Sequence, residues 1–385
     1  MITSLTRRFI PEERPELLKP GMYSWMSAED ITPHYRLHLR IERDGTGVLI
    51  VNASTVLHLN QTAAEYAKLV VEDANVETAG KTISSRYRIK QKDAEEDYRA
   101  FHDHVTTLAT NPDLDPVLYL DMDRTEPYTD QPSAPYRLDC ALTYMIDQDG
   151  TMDPLAGKRV DRELTTSEWI QILDKAWEAG IPHVTFTGGE PTLREDLIDL
   201  IRHAENIGQV AGLLTNARRL VEREYVEALE QTGLDHFLVV YHPNFPEGRE
   251  GLIHALDSDV YTAVHLTLTP EWHEQVFDVL KDLAELGVPA VSLSSSERNP
   301  TLAKALSSAR DHAAELDLRL VWDVPAPYSA SNPIALVIDE PKDGAGLAWM
   351  YVEPDGDVLP AQEINRVLGN MLTTPWEEIE KNARA

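Results

Sequence analysis

The sequence contains one cysteine, Cys140, in 385 residues. A single thiol excludes an internal disulfide framework, and it excludes any zinc or iron–sulfur site made from several cysteines of this chain. Positive charge is also scarce, since 35 Lys and Arg stand against 65 Asp and Glu, which gives a net charge of −30. Such a surface repels phosphate backbones and anionic bilayers. We therefore expect neither a nucleic acid nor a membrane as a partner.

Long hydrophobic runs are absent as well. No apolar run reaches the roughly 18 residues that a membrane-spanning helix needs, and the first ten residues lack the apolar core of a signal peptide. The sequence therefore predicts a cytoplasmic protein. Its hydrophobic content of 42% is enough to bury at least one large core, and the length accommodates two or three domains.

The N-terminal third predicts a small winged-helix-like α+β domain over residues 31–108. Apolar and polar residues alternate as in strands from Tyr35 to Leu59, with tight connections at Asp44-Gly45 and Asn52-Ala53. Helical patterns follow, at 62–71, 76–85 and 92–108. Thr62 and Glu65 have the spacing of a capping box. Residues 1–30 are predicted as an N-terminal extension, and the Pro- and Asp-rich residues 109–134 as a linker.

After the linker, predicted strands and helices alternate over residues 135–325. The strands are expected at 136–143, 183–187, 210–215, 236–241, 263–269, 290–294 and 318–324. The helices between them include 167–179, 195–206, 222–231, 271–285 and 301–315. This alternation indicates a parallel sheet of the α/β class, and its number of units favours a partial (β/α)6-type barrel. An open doubly wound sheet is the competing arrangement, although the sequence lacks a G-x-G-x-x-G motif.

One face of these strands is polar. The residues that share it are Arg137, Asp139, His183, Thr185, Thr187, His265, Thr267, Thr269, Ser292, Ser294, Arg319 and Asp323. Because the opposite faces are apolar and should contact the helices, the polar set is expected to point into the barrel lumen. Buried polar groups need partners, so the lumen either binds a small-molecule ligand or is internally hydrogen-bonded and hydrated.

The segment Thr187-Gly188-Gly189-Glu190-Pro191 ends the second predicted strand. It resembles the GGEP segment of radical S-adenosylmethionine (radical SAM) enzymes. The resemblance implies that Thr187, Gly188, Gly189 and Glu190 hold the methionine amino group of SAM.

Two further strand ends carry the same resemblance. Thr215 and Asn216 resemble the T-N-G segment at the third strand, with Ala217 in place of glycine. Thr267 and Thr269 end the fifth strand, where family members place polar groups near the ribose. The resemblance therefore implies SAM as a cofactor bound at these strand ends.

Both ends of the chain resemble accessory regions of the same superfamily. Residues 56–63, VLHLNQTA, with Tyr87 and Tyr98, resemble PqqD-like domains. That likeness implies that a leader peptide pairs with a strand edge at Thr55, Val56, Leu57 and His58. Residues 349–360, WMYVEPDGDVLP, lie in the region 326–385 and resemble a SPASM or twitch extension, a short C-terminal β extension.

The cysteines that the family requires are missing. The resemblance places the three cluster-ligand positions near Ile146, Gly150 and Asp153, and it places Ala361 where the C-terminal extension usually has a cysteine. Cys140 lies on the apolar face of the first strand and is predicted to be a buried core thiol.

The leading hypothesis is a degenerate radical SAM protein without an iron–sulfur cluster. As a pseudoenzyme it would bind a peptide or a partner enzyme through its N-terminal domain, and SAM or a small metabolite in the barrel. One alternative is an enzyme that uses the polar lumen for SAM-dependent or metal-assisted chemistry, for example through His183, His242 and His265. Another is an active radical enzyme whose cysteines come from a partner. No catalytic residue is assigned.

Overall fold

The computed structural model describes residues 16–28, 33–111, 114–121, 132–146, 160–321, 344–362 and 364–385. Contacts within the chain separate two compact units. The first contains residues 1–126 and 178–182, and the second contains residues 127–177 and 183–385. The predicted domain boundaries stay predictions.

The first unit contains an antiparallel sheet with the strand order β1-β2-β3-β4. Its strands are β1 (Gly21–Met26), β2 (Arg36–Ile41), β3 (Gly47–Val51) and β4 (Thr55–Leu59). Its helices are α1 (Gln61–Val71), α2 (Val76–Arg86), α3 (Gln91–Thr110) and α4 (Pro116–Leu120). β1 lies within the stretch that the sequence predicts as an N-terminal extension, and it joins the sheet because Tyr23 and Trp25 pack against the core.

The predicted capping box at Thr62 is wrong. Asn60 caps α1 instead, since its side chain accepts a hydrogen bond from the Ala63 N–H at 3.0 Å. Glu65 turns into the domain, where it pairs with Arg86 Nε at 2.6 Å and accepts the Tyr87 hydroxyl at 2.7 Å. A nearby cation and a buried hydroxyl stabilise this carboxylate more than a surface cap would.

The second unit contains a sheet with the strand order β11-β10-β9-β8-β7-β6-β5-β12-β13-β14. Its first seven strands are β5 (Arg137–Thr143), β6 (His183–Gly188), β7 (Val210–Thr215), β8 (His236–Val240), β9 (Tyr261–Leu268), β10 (Ala290–Ser295) and β11 (Arg319–Leu320). The helices that connect them are α5 (Thr166–Ala179), α6 (Leu197–Asn206), α7 (Arg223–Glu230), α8 (Pro246–Leu256), α9 (Val276–Glu285) and α10 (Pro300–Glu315). Short 3₁₀ turns precede three of these helices, at Pro191–Leu193, Arg218–Val221 and His273–Gln275.

Strands β5 to β11 are parallel and follow one another in sequence order across the sheet. A doubly wound sheet would reverse its order at a switch point within these strands, and from β5 to β11 the order does not reverse. The α/β class and the parallel sheet are thus confirmed. The sequence predicted helices between the strands without giving bounds for α8, because its glycines, Gly248 and Gly251, obscure the apolar periodicity.

The C-terminal residues extend the same sheet beyond β5. The strands β12 (Trp349–Val352), β13 (Asp357–Leu359) and β14 (Gly369–Asn370) precede helix α11 (Trp376–Ala383). β12 pairs in parallel with β5, and β13 returns antiparallel to β12. Gly356 takes φ +91° in the turn between them, a conformation that glycine adopts without strain. The predicted short β extension is therefore a part of the main sheet.

Candidate functional site

The two glycines after β6 lie against the end of β5. The Gly189 N–H donates to the Thr143 carbonyl at 2.7 Å, and the Glu190 N–H donates to the Met145 carbonyl at 2.7 Å. A Cβ atom on Gly188 would lie 2.2 Å from the Thr143 oxygen, and one on Gly189 would lie 2.1 Å from the Met145 oxygen. Gly188 also takes φ +124°. Both glycines are thus required by the chain's own backbone.

Glu190 is the centre of a hydrogen-bond cluster between β6 and β7. Its Oε1 atom accepts the hydroxyls of Thr192 at 2.6 Å and Thr215 at 2.7 Å, and also the Thr192 N–H at 3.2 Å. Its Oε2 atom accepts the Asn216 N–H at 2.8 Å. A carboxylate has about four acceptor positions. Because three donors converge on Oε1, the acceptor capacity that remains is on Oε2.

The charge of Glu190 has no cationic partner among the described residues. The side chain is 4% exposed. Burial raises the pKa of the Glu190 carboxyl above its ordinary value, and the hydrogen bonds from Asn216, Thr192 and Thr215 oppose that rise. An ammonium group at Oε2 would supply the missing positive charge, and it would lower this pKa.

Thr187, Thr215 and Asn216 complete this part of the predicted site. Thr187 is fully buried, and its hydroxyl has no hydrogen-bond partner within the described residues. Thr215 also accepts the Ala217 N–H at 3.1 Å, and Ala217 takes the left-handed φ of +61°. That conformation costs an alanine more than it would cost the glycine of a T-N-G segment.

The other two predicted ligand residues lie at the end of β9. Thr267 belongs to a cluster around His265, whose Nε2 lies 3.0 Å from the Thr267 hydroxyl and whose Nδ1 lies 3.0 Å from the Ser292 hydroxyl. The Ser294 hydroxyl is also 3.0 Å from Nε2. Burial lowers the pKa of His265 to about 3, so the imidazole is neutral. The Thr269 hydroxyl accepts the N–H of Glu271, outside this cluster.

The polar strand face holds a second group, on β5 and β6. Arg137 Nε lies 2.7 Å from Asp139 Oδ1, and Asp139 also hydrogen-bonds Thr185. The rings of His183 and His236 are 5.1 Å apart. Burial, aided by Arg137, lowers the pKa of His236 to about 4. The polar lumen predicted from strand alternation is therefore largely satisfied by internal pairs on these strands.

Thr192 is a site residue that the sequence interpretation missed, because a threonine after E-P carries no signal of its own. Tyr144 was missed for a different reason. Its hydroxyl donates to Glu353 Oε1 at 2.8 Å, across 209 positions in sequence. No local pattern could indicate this contact, which connects the end of β5 to the end of β12.

Of the three predicted cluster-ligand positions, Ile146 is 38% exposed, whereas Gly150 and Asp153 lie outside the described residues. Cys140 is fully buried, as predicted, and burial raises the pKa of its thiol well above the ordinary value. A buried neutral thiol does not fit the three thiolates that an iron–sulfur cluster takes.

Within the part of the chain that the structure describes, no three His, Cys, Asp or Glu side chains are grouped as a metal site. The three histidines proposed for a metal are separately engaged. His265 lies among hydroxyls, His183 lies against His236, and His242 packs on Phe245 at 4.9 Å. Among the described helices, none combines the length and apolar character needed to cross a bilayer.

The predicted peptide-binding edge lies on β4. Thr55, Val56, Leu57 and His58 pair with β3 on one side, and in the described sheet β4 is the outermost strand. An outermost strand has backbone groups available to an added strand. This edge, therefore, has the geometry that strand addition requires.

Comparison with known proteins gives two kinds of match. The model of the radical SAM superfamily matches residues 140–295. Three relatives are PqqA peptide cyclases. The proteins from Rhodopseudomonas palustris and Bradyrhizobium diazoefficiens are 28% and 27% identical, each over 56% of this chain. These matches span 64% and 63% of those relatives, which is less than two thirds. The protein from Streptomyces rochei is 30% identical over 59% of this chain and 70% of its own length.

The fold is similar to that of solved structures of SuiB from Streptococcus suis. The structure bound to the precursor peptide SuiA has a TM-score of 0.60 and 16% identity, and the match covers 89% of this chain and 86% of that one. The structure bound to S-adenosylmethionine has a TM-score of 0.58 and 18% identity, with 93% and 88% covered. At this identity the likeness concerns the fold alone.

Proposed function

The chain belongs to the radical SAM superfamily, and we propose that it keeps a SAM-binding turn while lacking an iron–sulfur cluster. It would act as a binding protein, a pseudoenzyme, in the modification of a peptide or of a peptide-derived cofactor. SAM or a related metabolite would bind at Thr187, Gly188, Gly189, Glu190, Thr215 and Asn216. Thr267 and Thr269 are proposed as more distant contacts.

The observation that carries this proposal is the buried Glu190 carboxylate. It is held by neutral donors, and it has no cation beside it in the described chain. An uncompensated buried charge is costly, and an ammonium group is the natural counterion. The donor set therefore fits the methionine ammonium of SAM, which would lie at Oε2.

The proposal that the chain lacks an iron–sulfur cluster is supported by the sequence and by the position of one side chain. The chain has a single cysteine, and that cysteine is buried on the strand face opposite Asp139. SAM bound at a cluster supplies a radical, whereas SAM bound at Glu190 alone is a ligand. No step of radical chemistry is derived for these residues.

A peptide is proposed as the second ligand. The support is the outermost strand β4, together with the similarity to PqqA peptide cyclases and the fold likeness to SuiB, which was solved with a precursor peptide. The peptide would add a strand at Thr55–His58. If a short precursor peptide is encoded beside this gene, adding it should protect the β4 amides from hydrogen exchange.

Calorimetric titration with SAM tests the proposal. Wild type should bind SAM, and Glu190→Gln should weaken binding by about tenfold or more, because the charge-assisted bond to the ammonium is lost. Glu285→Gln, which removes a carboxylate whose side chain is 68% exposed, is the matched control. Equal affinity of Glu190→Gln and wild type, with both folded, would contradict the site. A stoichiometric [4Fe–4S] spectrum after anaerobic reconstitution would contradict the absence of the cluster.

Non-radical catalysis in the lumen is the second candidate, and the neutral His265 with its three hydroxyl neighbours favours it. With a pKa of about 3 the imidazole is too weak a base to take a proton at neutral pH, so it would act by orienting a bound substrate through hydrogen bonds. His265→Gln should then abolish SAM turnover without weakening SAM binding. A wild type that does not consume SAM would exclude this candidate.

A further inference from the structure

Four side chains form a contiguous group at the carboxyl ends of β7, β8 and β9. We name Arg218, His242, Phe245 and Trp272 the rim cluster. The Arg218 guanidinium lies over the Phe245 ring, 4.6 Å from its centroid. The His242 ring is 4.9 Å from Phe245 and 6.2 Å from Trp272. The carboxyl ends of parallel strands are where such folds bind ligands.

The rim cluster offers three donor groups, and within the described residues no acceptor pairs with the side-chain N–H groups of Arg218, His242 Nε2 or Trp272. Trp272 is 2% exposed, and its indole N–H is buried without a partner in the described residues. His242 accepts the Asn244 N–H at Nδ1, which assigns its proton to Nε2 as a second donor. A buried donor without an acceptor is costly, so the arrangement fits a ligand that accepts hydrogen bonds.

Arg218 supplies the charge of the cluster. Its stacking on Phe245 leaves the edges of the guanidinium available, and in the described chain it forms no ion pair with an acidic residue. Glu247 and Glu271 adjoin the cluster in sequence, but within the described residues neither carboxylate forms an ion pair with Arg218.

The charge state selects the class of ligand. Burial lowers the pKa of His242 below its ordinary value, so at neutral pH the cluster carries one positive charge, on Arg218. A single guanidinium with two neutral donors matches a monoanion with two oxygens better than a phosphate dianion. The exposed Phe245 ring adds an apolar surface beside the charge.

From this geometry we propose that the rim cluster is a carboxylate-binding subsite, with Arg218 and the N–H groups of His242 and Trp272 as donors. Asn216 connects it to the Glu190 turn. Its backbone N–H donates to Glu190, and its side-chain oxygen accepts the backbone N–H of Arg218 at 2.9 Å, which leaves the Arg218 guanidinium out of this contact. The carboxylate belongs either to the ligand at Glu190 or to a separate molecule. The subsite itself does not depend on what Glu190 binds.

Calorimetry on the full chain tests the proposal with two matched pairs of probes. N-acetyl-L-phenylalanine is compared with its amide, and SAM with decarboxylated SAM. In each pair, only the first probe carries a carboxylate. We expect wild type to bind at least one acid about tenfold more tightly than its neutral counterpart, and Arg218→Ala to remove that difference.

Two further variants separate the donors from general disruption. Trp272→Phe keeps an aromatic ring but deletes the N–H, and it should reduce the preference for the acid several-fold. Arg202→Ala, which removes an exposed arginine on α6 that pairs with Asp199, should leave the preference unchanged.

The pair of probes that responds identifies the source of the carboxylate. A preference only within the SAM pair assigns it to the ligand at Glu190, and a preference within the phenylalanine pair assigns it to a separate molecule. Either result supports the subsite. Equal binding of acid and neutral probe in both pairs, no binding of either acid, or a preference that survives in folded Arg218→Ala overturns it.

Discussion

Replacing Gly189 with alanine should destabilise the second unit even when no ligand is present. The added Cβ atom would lie 2.1 Å from the Met145 carbonyl oxygen, where ordinary contacts are at 3.4 Å or more. The backbones of the β6 turn and the β5 end must therefore separate by about 1 Å. Gly189 does not have a positive φ, so backbone strain in the left-handed region contributes nothing.

The size of the destabilisation follows from the interactions that are lost when the two backbones separate. Two backbone hydrogen bonds, Gly189 to Thr143 and Glu190 to Met145, are both 2.7 Å long. Their loss costs about 1 kcal/mol each, and overpacking of a closely packed site costs about 1–3 kcal/mol more. We expect a decrease of about 3–5 kcal/mol in the free energy of unfolding.

Urea titration followed by far-ultraviolet circular dichroism measures this decrease, as a lower midpoint at unchanged slope. Hydrogen exchange of peptides from β5 and β6 assigns it to this unit. Gly287→Ala is the control, because a Cβ there meets nothing within 4 Å although φ is +82°. It should cost only about 1 kcal/mol. If Gly189→Ala is as stable as wild type without ligand and only binds SAM more weakly, the glycine serves the ligand and our reasoning is wrong.

Three other changes test the polar clusters. Glu65→Gln should lower the free energy of unfolding by about 1–3 kcal/mol, since the buried ion pair and hydroxyl bond of Glu65 are weakened. In the same urea titration, Glu72→Gln should lower it by under about 0.5 kcal/mol, because Glu72 is half exposed. The pKa of His265 is about 3 in the folded chain, against about 6.5 unfolded, so stability should fall as the pH drops from 6.5 towards 3, by up to about 1.4 kcal/mol per pH unit. Urea titrations at several pH values between 7 and 5 give the free energy of unfolding as a function of pH. This dependence should be shallower for His265→Gln than for wild type, and an unchanged dependence would contradict the buried neutral imidazole. Tyr144→Phe should lower the free energy of unfolding, measured by thermal unfolding, by about 1–3 kcal/mol, because it removes the buried hydrogen bond to Glu353. Tyr23→Phe, which removes an exposed hydroxyl bond, should change it hardly at all.

Several features could be derived from sequence because their signal is local. The period of apolar residues distinguishes strands from helices, and β7 has the predicted bounds, Val210–Thr215. Strand alternation placed Cys140 on the buried face and the polar side chains on the other. The Gly-Gly-Glu turn was located at a strand end, where the structure has it.

The hydrogen-bond and packing partners of individual residues could not be derived in this way. The sequence alone indicated that Glu190 offers a carboxylate, but only the tertiary structure decided that Thr192, Thr215 and Asn216 donate to it. Likewise, only the tertiary structure decided that these two glycines also lie against the end of β5, where an added Cβ atom would meet the backbone. Such contacts depend on neighbouring strands, which a local pattern does not specify.

The composition and periodicity of this chain determined its class, its alternating elements and the residues available for chemistry. Only the tertiary structure decided that β12 pairs with β5 and that the rim cluster is assembled from three separate loops. The physical reason is distance along the chain. Secondary structure arises from nearest neighbours, whereas a site is formed by residues that packing brings together from far apart in sequence.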